Sequence, residues 1–137
     1  MPATDATAGS ARYVFRVAFR IEPSAPTVSV EPATFETTLY RAADPPGELG
    51  WLFFRDHLWR GEVGDETYLR EVAEEAIGVP VTAVSFRELR TDQAYLDALR
   101  DVAGEHLEEF RADTVDEALT KYLGSSIHVV DRDEVGG

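Results

Sequence analysis

Apolar and polar residues alternate strictly from Arg12 to Ile21. Tyr13, Phe15, Val17, Phe19 and Ile21 fall on one side, and Arg12, Val14, Arg16, Ala18 and Arg20 on the other. A period of two is the mark of a half-buried strand. Pro23, Ser24 and Pro26 end it, and Val28 to Glu31 is at most an edge segment before Pro32. Alternation returns from Thr34 to Ala42, with Phe35, Thr37 and Leu39 against Glu36, Thr38 and Tyr40. Antiparallel pairing of the two strands brings Glu36 to the arginine stripe.

A turn at Asp44-Pro45-Pro46-Gly47 leads into the stretch on which the chain hinges, Trp51 to Glu62. Trp51 to Phe54 is continuously apolar and too short for a helix, which predicts a third strand buried on both faces. Arg55 to Arg60 reads two ways. In strand register Arg55, His57 and Trp59 share one face and Asp56, Leu58 and Arg60 the other; as a helical turn, Arg55 and Trp59 stack. Glycines at 47, 50, 61 and 64 bracket the stretch and predict sharp reversals or close backbone approach.

From there the period changes. Asp65 is set to cap a helix with the stripe Tyr68, Leu69, Val72, Ala73, Ala76 and Ile77, ended by Gly78 and Pro80. Val81 to Leu89 is a strand. Thr91 caps a second helix with the stripe Tyr95, Leu96, Leu99, Val102, Ala103, Leu107 and Phe110. Thr114 and Glu117 form a capping box for a third, which ends at Gly124. Ile127 to Val130 closes as a short strand. The order β-β-β-α-β-α-α-β predicts an α+β fold, a mainly antiparallel sheet with helices packed on one face. Residues 11–130 form one domain, between a disordered tail at 1–10 and a flexible acidic tail at 131–137.

Composition changes the picture in two respects. At 137 residues and 44% apolar, the chain buries a core without disulfides, and with no cysteine it has neither thiolate metal ligands nor a thiol nucleophile. The start of the chain carries no secretory pattern, and no apolar run reaches the ~18 residues of a membrane span; the expected compartment is the cytoplasm. Net charge is −13, from 26 acids and 13 bases, and the only lysine is Lys121. Acid-rich and lysine-poor composition is what a concentrated-salt cytosol favours, with carboxylates holding water and cations at the surface. A GC-rich genome also exchanges lysine for arginine, but it leaves the acid excess unexplained. At 1 M salt the Debye length is ~3 Å, so an extended nucleic-acid groove is disfavoured and contacts must be direct.

Phosphate-loop, dinucleotide, His-Glu-x-x-His and Gly-x-Ser-x-Gly patterns are all absent, and no motif calls for a cofactor. Asp56, His57 and Glu62 are the candidate acid/base set, against a polar edge beside buried aromatics. His57, His106 and His128 lack ligand spacing, so no metal site is expected. Arg12, Arg16 and Arg20 line one strand face and suit an anion, or pair with Glu36 and other acids. Trp51 and Trp59 with Arg55 and Arg60 have the composition of an interaction hot spot or a stacking platform, or of a core strand. Ser125-Ser126 after Gly124 reads as an anion site or a helix exit.

Gly50-Trp-Leu-Phe-Phe-Arg-Asp-His-Leu-Trp-Arg-Gly-Glu62, with Leu58-Trp59-Arg60 at its heart, resembles the signature of the LWR-salt proteins. Tyr13 to Arg20, Phe35 to Leu39, Pro46-Gly47, Val84 to Leu89 and Tyr122 to Ile127 are similar to the same family, so the resemblance runs from Tyr13 to Val130. It implies a haloarchaeal source and supplies no activity, cofactor or site residue. The reading that follows is a protein-binding module, with self-association open, working through Arg55, Trp59, Arg60 and the stripe Arg12, Arg16 and Arg20. Its alternatives are a small-molecule or anion-binding enzyme using Asp56, His57 and Glu62, and an RNA-contacting protein.

Overall fold

The computed structural model of the chain describes residues 9–21, 33–64 and 66–136. Its long strands are β1 (Ala11–Ile21), β2 (Ala33–Ala42) and β5 (Val81–Thr91), and its long helices are α2 (Glu66–Ile77), α3 (Gln93–Glu105) and α5 (Val115–Leu123). Shorter elements lie between and after them: α1 (Phe53–His57), β3 (Leu58–Trp59), β4 (Glu62–Val63), α4 (Leu107–Phe110), β6 (Ile127–Val129) and α6 (Arg132–Gly136). One four-stranded sheet runs in the order β2-β1-β5-β6, antiparallel except for the β5-β6 pair. β3 and β4 form a separate hairpin.

The alternation of β1 decides the two faces of the sheet. Tyr13, Phe15 and Val17 lie opposite Leu89, Phe86 and Val84 of β5, and all six are buried in one core with Leu69, Leu99, Phe110 and Leu123 from the helices. The opposite face is ionic. Arg16 reaches Glu36 across the β1-β2 pair at 3.6 Å, as the antiparallel register requires. The Arg12 guanidinium lies 4.2 Å from the Tyr40 ring centre, and its Nε donates to the Val135 carbonyl. Arg20 follows on the same face of the strand. Burial pushes the Glu88 carboxyl up, but hydrogen bonds from Arg90 at 3.0 Å and His128 at 3.1 Å outweigh it and hold the group below the ordinary carboxylate range.

The stretch Trp51–Phe54 is not a strand. It enters by a turn and becomes α1, with the Phe53 amide bonded to Gly50 O and the Asp56 amide to Leu52 O. A strand would send alternate side chains to opposite faces, whereas one helical turn directs its bulk inward over several partners. Phe53 meets Tyr13 at 4.7 Å between ring centres, Phe54 stacks on Phe110 at 5.6 Å, and Trp51 sits edge-on to Phe110 at 5.9 Å. A short apolar run satisfies either geometry by periodicity alone, and β5 already fills the place beside β1. Neither reading of Arg55 to Arg60 holds as a whole, because Arg55 is on α1 and Trp59 on β3.

Other differences are local. Asp92, not Thr91, caps α3: its Oδ1 accepts the Tyr95 amide at 2.8 Å, and its Oδ2 accepts the Ser10 amide at 3.0 Å. Gly9 and Ser10, expected in the tail, are thereby tied to the domain. The second helical stripe breaks at His106, so Phe110 reaches the core from the separate turn α4. Thr114 caps α5 by accepting the Glu117 amide at 3.1 Å, while the Glu117 carboxylate reaches back to the Asp113 amide. The expected acidic tail contains α6, with Val135 only 2% exposed on the ionic side of the sheet. The expected edge segment at 28–31, the Asp65 cap and residues 1–8 lie outside the described residues. Among the described residues no helix is long and apolar enough to cross a membrane.

Asp92 is 5% exposed and bridges two chain segments. Asp92→Ala is expected to cost ~1–2 kcal/mol in denaturant unfolding, the range for losing a helix cap, with Asp92→Asn in between.

Candidate functional site

Leu58 and Trp59 begin a hairpin and, as strand neighbours, point to opposite sides. Leu58 is 2% exposed in the core and Trp59 is 44% exposed. Trp59 pairs with Glu62, leaving a two-residue loop of Arg60 and Gly61 with φ of 53° and 80°. Two central residues with positive φ make the mirror-image turn that matches strand twist, and Asn-Gly is its preferred sequence. Gly61 fits. Arg60 takes a left-handed conformation at a cost that Asn or Gly would not bear.

This turn is bound to the end of α5. The Arg60 amide donates to Lys121 O at 2.8 Å and the Gly61 amide to Tyr122 O at 2.9 Å. The last carbonyls of a helix have no partner within it, and here a hairpin more than fifty residues earlier in the chain supplies two. The approach leaves no room for side chains at the contact. A Cβ on Gly124 (φ 63°) would lie 2.9 Å from Arg60 O, and one on Gly61 would lie 3.1 Å from Leu123 O and Ser126 Oγ. Ser126 belongs to this junction: its amide bonds Leu123 O and its carbonyl takes the Leu89 amide at 2.7 Å, which makes the serine pair a helix exit into β6.

Above the junction lies a shelf. The Trp59 indole stands edge-on to Tyr122 at 5.7 Å. The Arg60 guanidinium is 5.5 Å and the Lys121 ammonium 5.9 Å from its ring centre. Lys121 is fixed by donating to Phe110 O at 3.0 Å and Arg111 O at 3.3 Å, the carbonyls at the end of α4. Trp59, Arg60, Glu117, Thr120, Lys121 and Gly124 line an open hollow of about 530 Å³. Among the described residues no carboxylate lies within ion-pair distance of the Arg60 guanidinium. Lys121 and Tyr122 are not among the site residues expected from the sequence; Gly124-Ser-Ser marks the helix end but not what docks there.

The other predicted residues are distributed elsewhere. Arg55 is matched to Asp56 at 3.0 Å and to Glu109 at 2.9 Å, away from the Trp59 shelf. Asp56 and His57 share a second cleft of about 500 Å³ with Arg41, Trp51 and Tyr68. In it the His57 ring is stacked on Tyr68 at 4.7 Å and meets Phe53 at 4.7 Å, and its buried Nδ1 has no hydrogen-bond partner among the described residues. Glu62 lines a different hollow with Glu66 and Phe86, so the acid/base set is not assembled in one place. The three histidines are likewise dispersed: His106 lies against Trp51 and His128 on Glu88. Among the described residues no three His, Asp or Glu side chains group as metal ligands. Arg12 and Arg16 hold Tyr40 and Glu36 as described.

The family model described as LWR-salt protein matches residues 9–133, and the chain belongs to that family. No curated protein matches the chain, and no solved structure does.

The junction makes opposite predictions for its two ends. Arg60→Asn relieves the left-handed arginine and is expected to leave stability unchanged or raise it by up to ~1 kcal/mol. Gly124→Ala drives a methyl group against Arg60 O and is expected to cost ~2 kcal/mol or more. Chemical denaturation of both variants beside the wild type checks the pair.

Proposed function

We propose that this LWR-salt protein is a protein-binding module that grips an acidic segment of its partner with Trp59 and Arg60. The observation that carries the reading is Arg60 itself. It occupies a left-handed turn position that asparagine or glycine fills at lower cost, and among the described residues its guanidinium meets no carboxylate beside a 44% exposed indole. Strain held in place by surrounding structure argues for a use of the side chain. Tryptophan and arginine are the residues enriched where interfaces concentrate their energy. A guanidinium takes a carboxylate through two parallel hydrogen bonds, and the neighbouring indole offers apolar area on a support that is already rigid.

The working medium in this reading is a concentrated-salt cytoplasm. It rests on the charge of −13 and on the placement of the acids. Glu66, Glu71, Glu74 and Glu75 lie on the exposed side of α2, Asp97, Asp101 and Glu105 on that of α3, and among the described residues Asp92 is the one buried carboxylate. Partners made for the same medium carry the same sign. At low salt the two repel; where the Debye length is ~3 Å repulsion fades and short-range pairing at Arg60 survives.

A second reading is favoured by the Arg41–His57 cleft, where the Arg41 guanidinium lies 4.5 Å from the Phe53 ring centre and His57 Nδ1 has no partner among the described residues. A small anion held there would be lost with Arg41→Ala and kept in Trp59→Ala.

Affinity capture from lysate at about 3 M KCl, where screening is near complete, tests the main reading. Trp59→Ala and Arg60→Asn are each expected to reduce the captured partner by ~30-fold, the effect of losing a hot-spot side chain, with circular dichroism unchanged. Capture that survives both changes, or an unfolded Trp59→Ala, contradicts it. The medium is tested apart from the site: the thermal midpoint is expected to rise steadily from about 0.2 M to about 3 M KCl, and a flat response contradicts a salt-adapted surface.

A further inference from the structure

The sheet ends at β2, and among the described residues no strand pairs with its outer side. Exposed edges are templates for pairing with another chain, and monomeric proteins guard them with prolines, bulges, lysines or short length. β2 has none of these. It is ten residues long and contains no proline or lysine. Its register with β1 is unbroken, in contrast to the β1-β5 pair with its two shifts. Its two charges are both engaged, Glu36 with Arg16 and Arg41 on the Phe53 ring. From Thr34 to Ala42 only Leu39 is even half-buried.

The core side of this edge carries Phe35, Thr37, Leu39 and Arg41. Phe35 is 45% exposed and stacks on Phe19 at 5.8 Å. Phe15, Leu39, Arg41, Leu69, Val72 and Val84 are among the residues that line a hollow of about 210 Å³ where α2 passes the strand. These features share no residue with the Trp59 shelf.

We propose that β2 is the docking edge for a second copy of this chain, joined antiparallel about a twofold axis through Thr37. The sequence of β2 suits itself in that register. Antiparallel partners must lie on the same face, and symmetry about Thr37 sets Phe35 opposite Leu39 on the core side and Glu36 opposite Thr38 on the other. Symmetry about Glu36 would set two carboxylates against each other, which is destabilising. The product is one sheet of eight strands in which the apolar stripe of Phe35 and Leu39 runs from copy to copy and the open edge disappears.

Sedimentation velocity at about 3 M KCl is expected to give twice the 15.2 kDa of the chain. Thr37→Lys, which sets two long, hydrated lysine side chains against each other at the axis in the way natural edges are guarded, is expected to sediment at the single-chain mass with its circular dichroism unchanged. A direct reading of the contact comes from Thr37→Cys. The chain has no cysteine, so the only disulfide that variant forms joins two copies, and directly opposed residues have Cβ atoms about 4.5–5.5 Å apart, close to disulfide reach. With copper–phenanthroline and dissolved oxygen as oxidant, Thr37→Cys is expected to cross-link at least tenfold faster than Thr67→Cys on the exposed side of α2. Single-chain mass for the wild type, a Thr37→Lys dimer, or equal cross-linking at the two positions overturns the proposal.

Discussion

Two backbone amides, those of Arg60 and Gly61, close the end of α5, and most of what distinguishes this molecule depends on that contact. It joins the middle of the chain to its last third through main-chain groups, so it is indifferent to most side chains and intolerant of any at Gly61 and Gly124. Once it forms, Leu58 is committed to the core and Trp59 to the surface, because strand neighbours cannot share a side. The exposed indole is thus a consequence of where the hairpin is anchored.

The core supplies the other half of the arrangement. α1 carries Phe53 to the sheet aromatics Tyr13 and Phe15, and Phe54 to Phe110 and Tyr122. Tyr122 serves both sides: it packs on Phe54 below and supports Trp59 above, while its carbonyl takes the Gly61 amide. Lys121 repeats the pattern, with its carbonyl on the hairpin and its ammonium on the end of α4. Three helix and hairpin ends therefore meet in one place, and each satisfies polar groups that another leaves open.

The regular parts of this architecture were legible in the sequence. The alternation of β1 and β2, the stripes of α2 and α3, the capping box of α5, and the pairing of Glu36 with the arginine face each follow from a local pattern or from a strand register. What was not legible depended on partners distant in the chain. Trp51 to Phe54 satisfies strand and helix equally until the sheet order is known. Asp92 caps in place of Thr91 because Thr91 is still the last residue of β5, paired with Ala11 and Val129 from distant parts of the chain. The Trp59 shelf was half visible: tryptophan and arginine marked it, and the glycines on either side announced close backbone contact. That the contact would be with Lys121 and Tyr122 is a fact of tertiary packing. The candidate acid/base residues failed to converge for a related reason, since the turn that sets Trp59 outward carries Glu62 away from His57.

If the hairpin and the end of α5 form one cooperative unit, their amides must open together. Hydrogen exchange by nuclear magnetic resonance reads this without mutation, through the Arg60 and Gly61 amides beside those of Leu119 to Leu123. Arg60 and Gly61 are then expected to be protected to the same opening free energy as the last turn of α5. Exchange of both amides at free-peptide rates, while α5 stays protected, would contradict it.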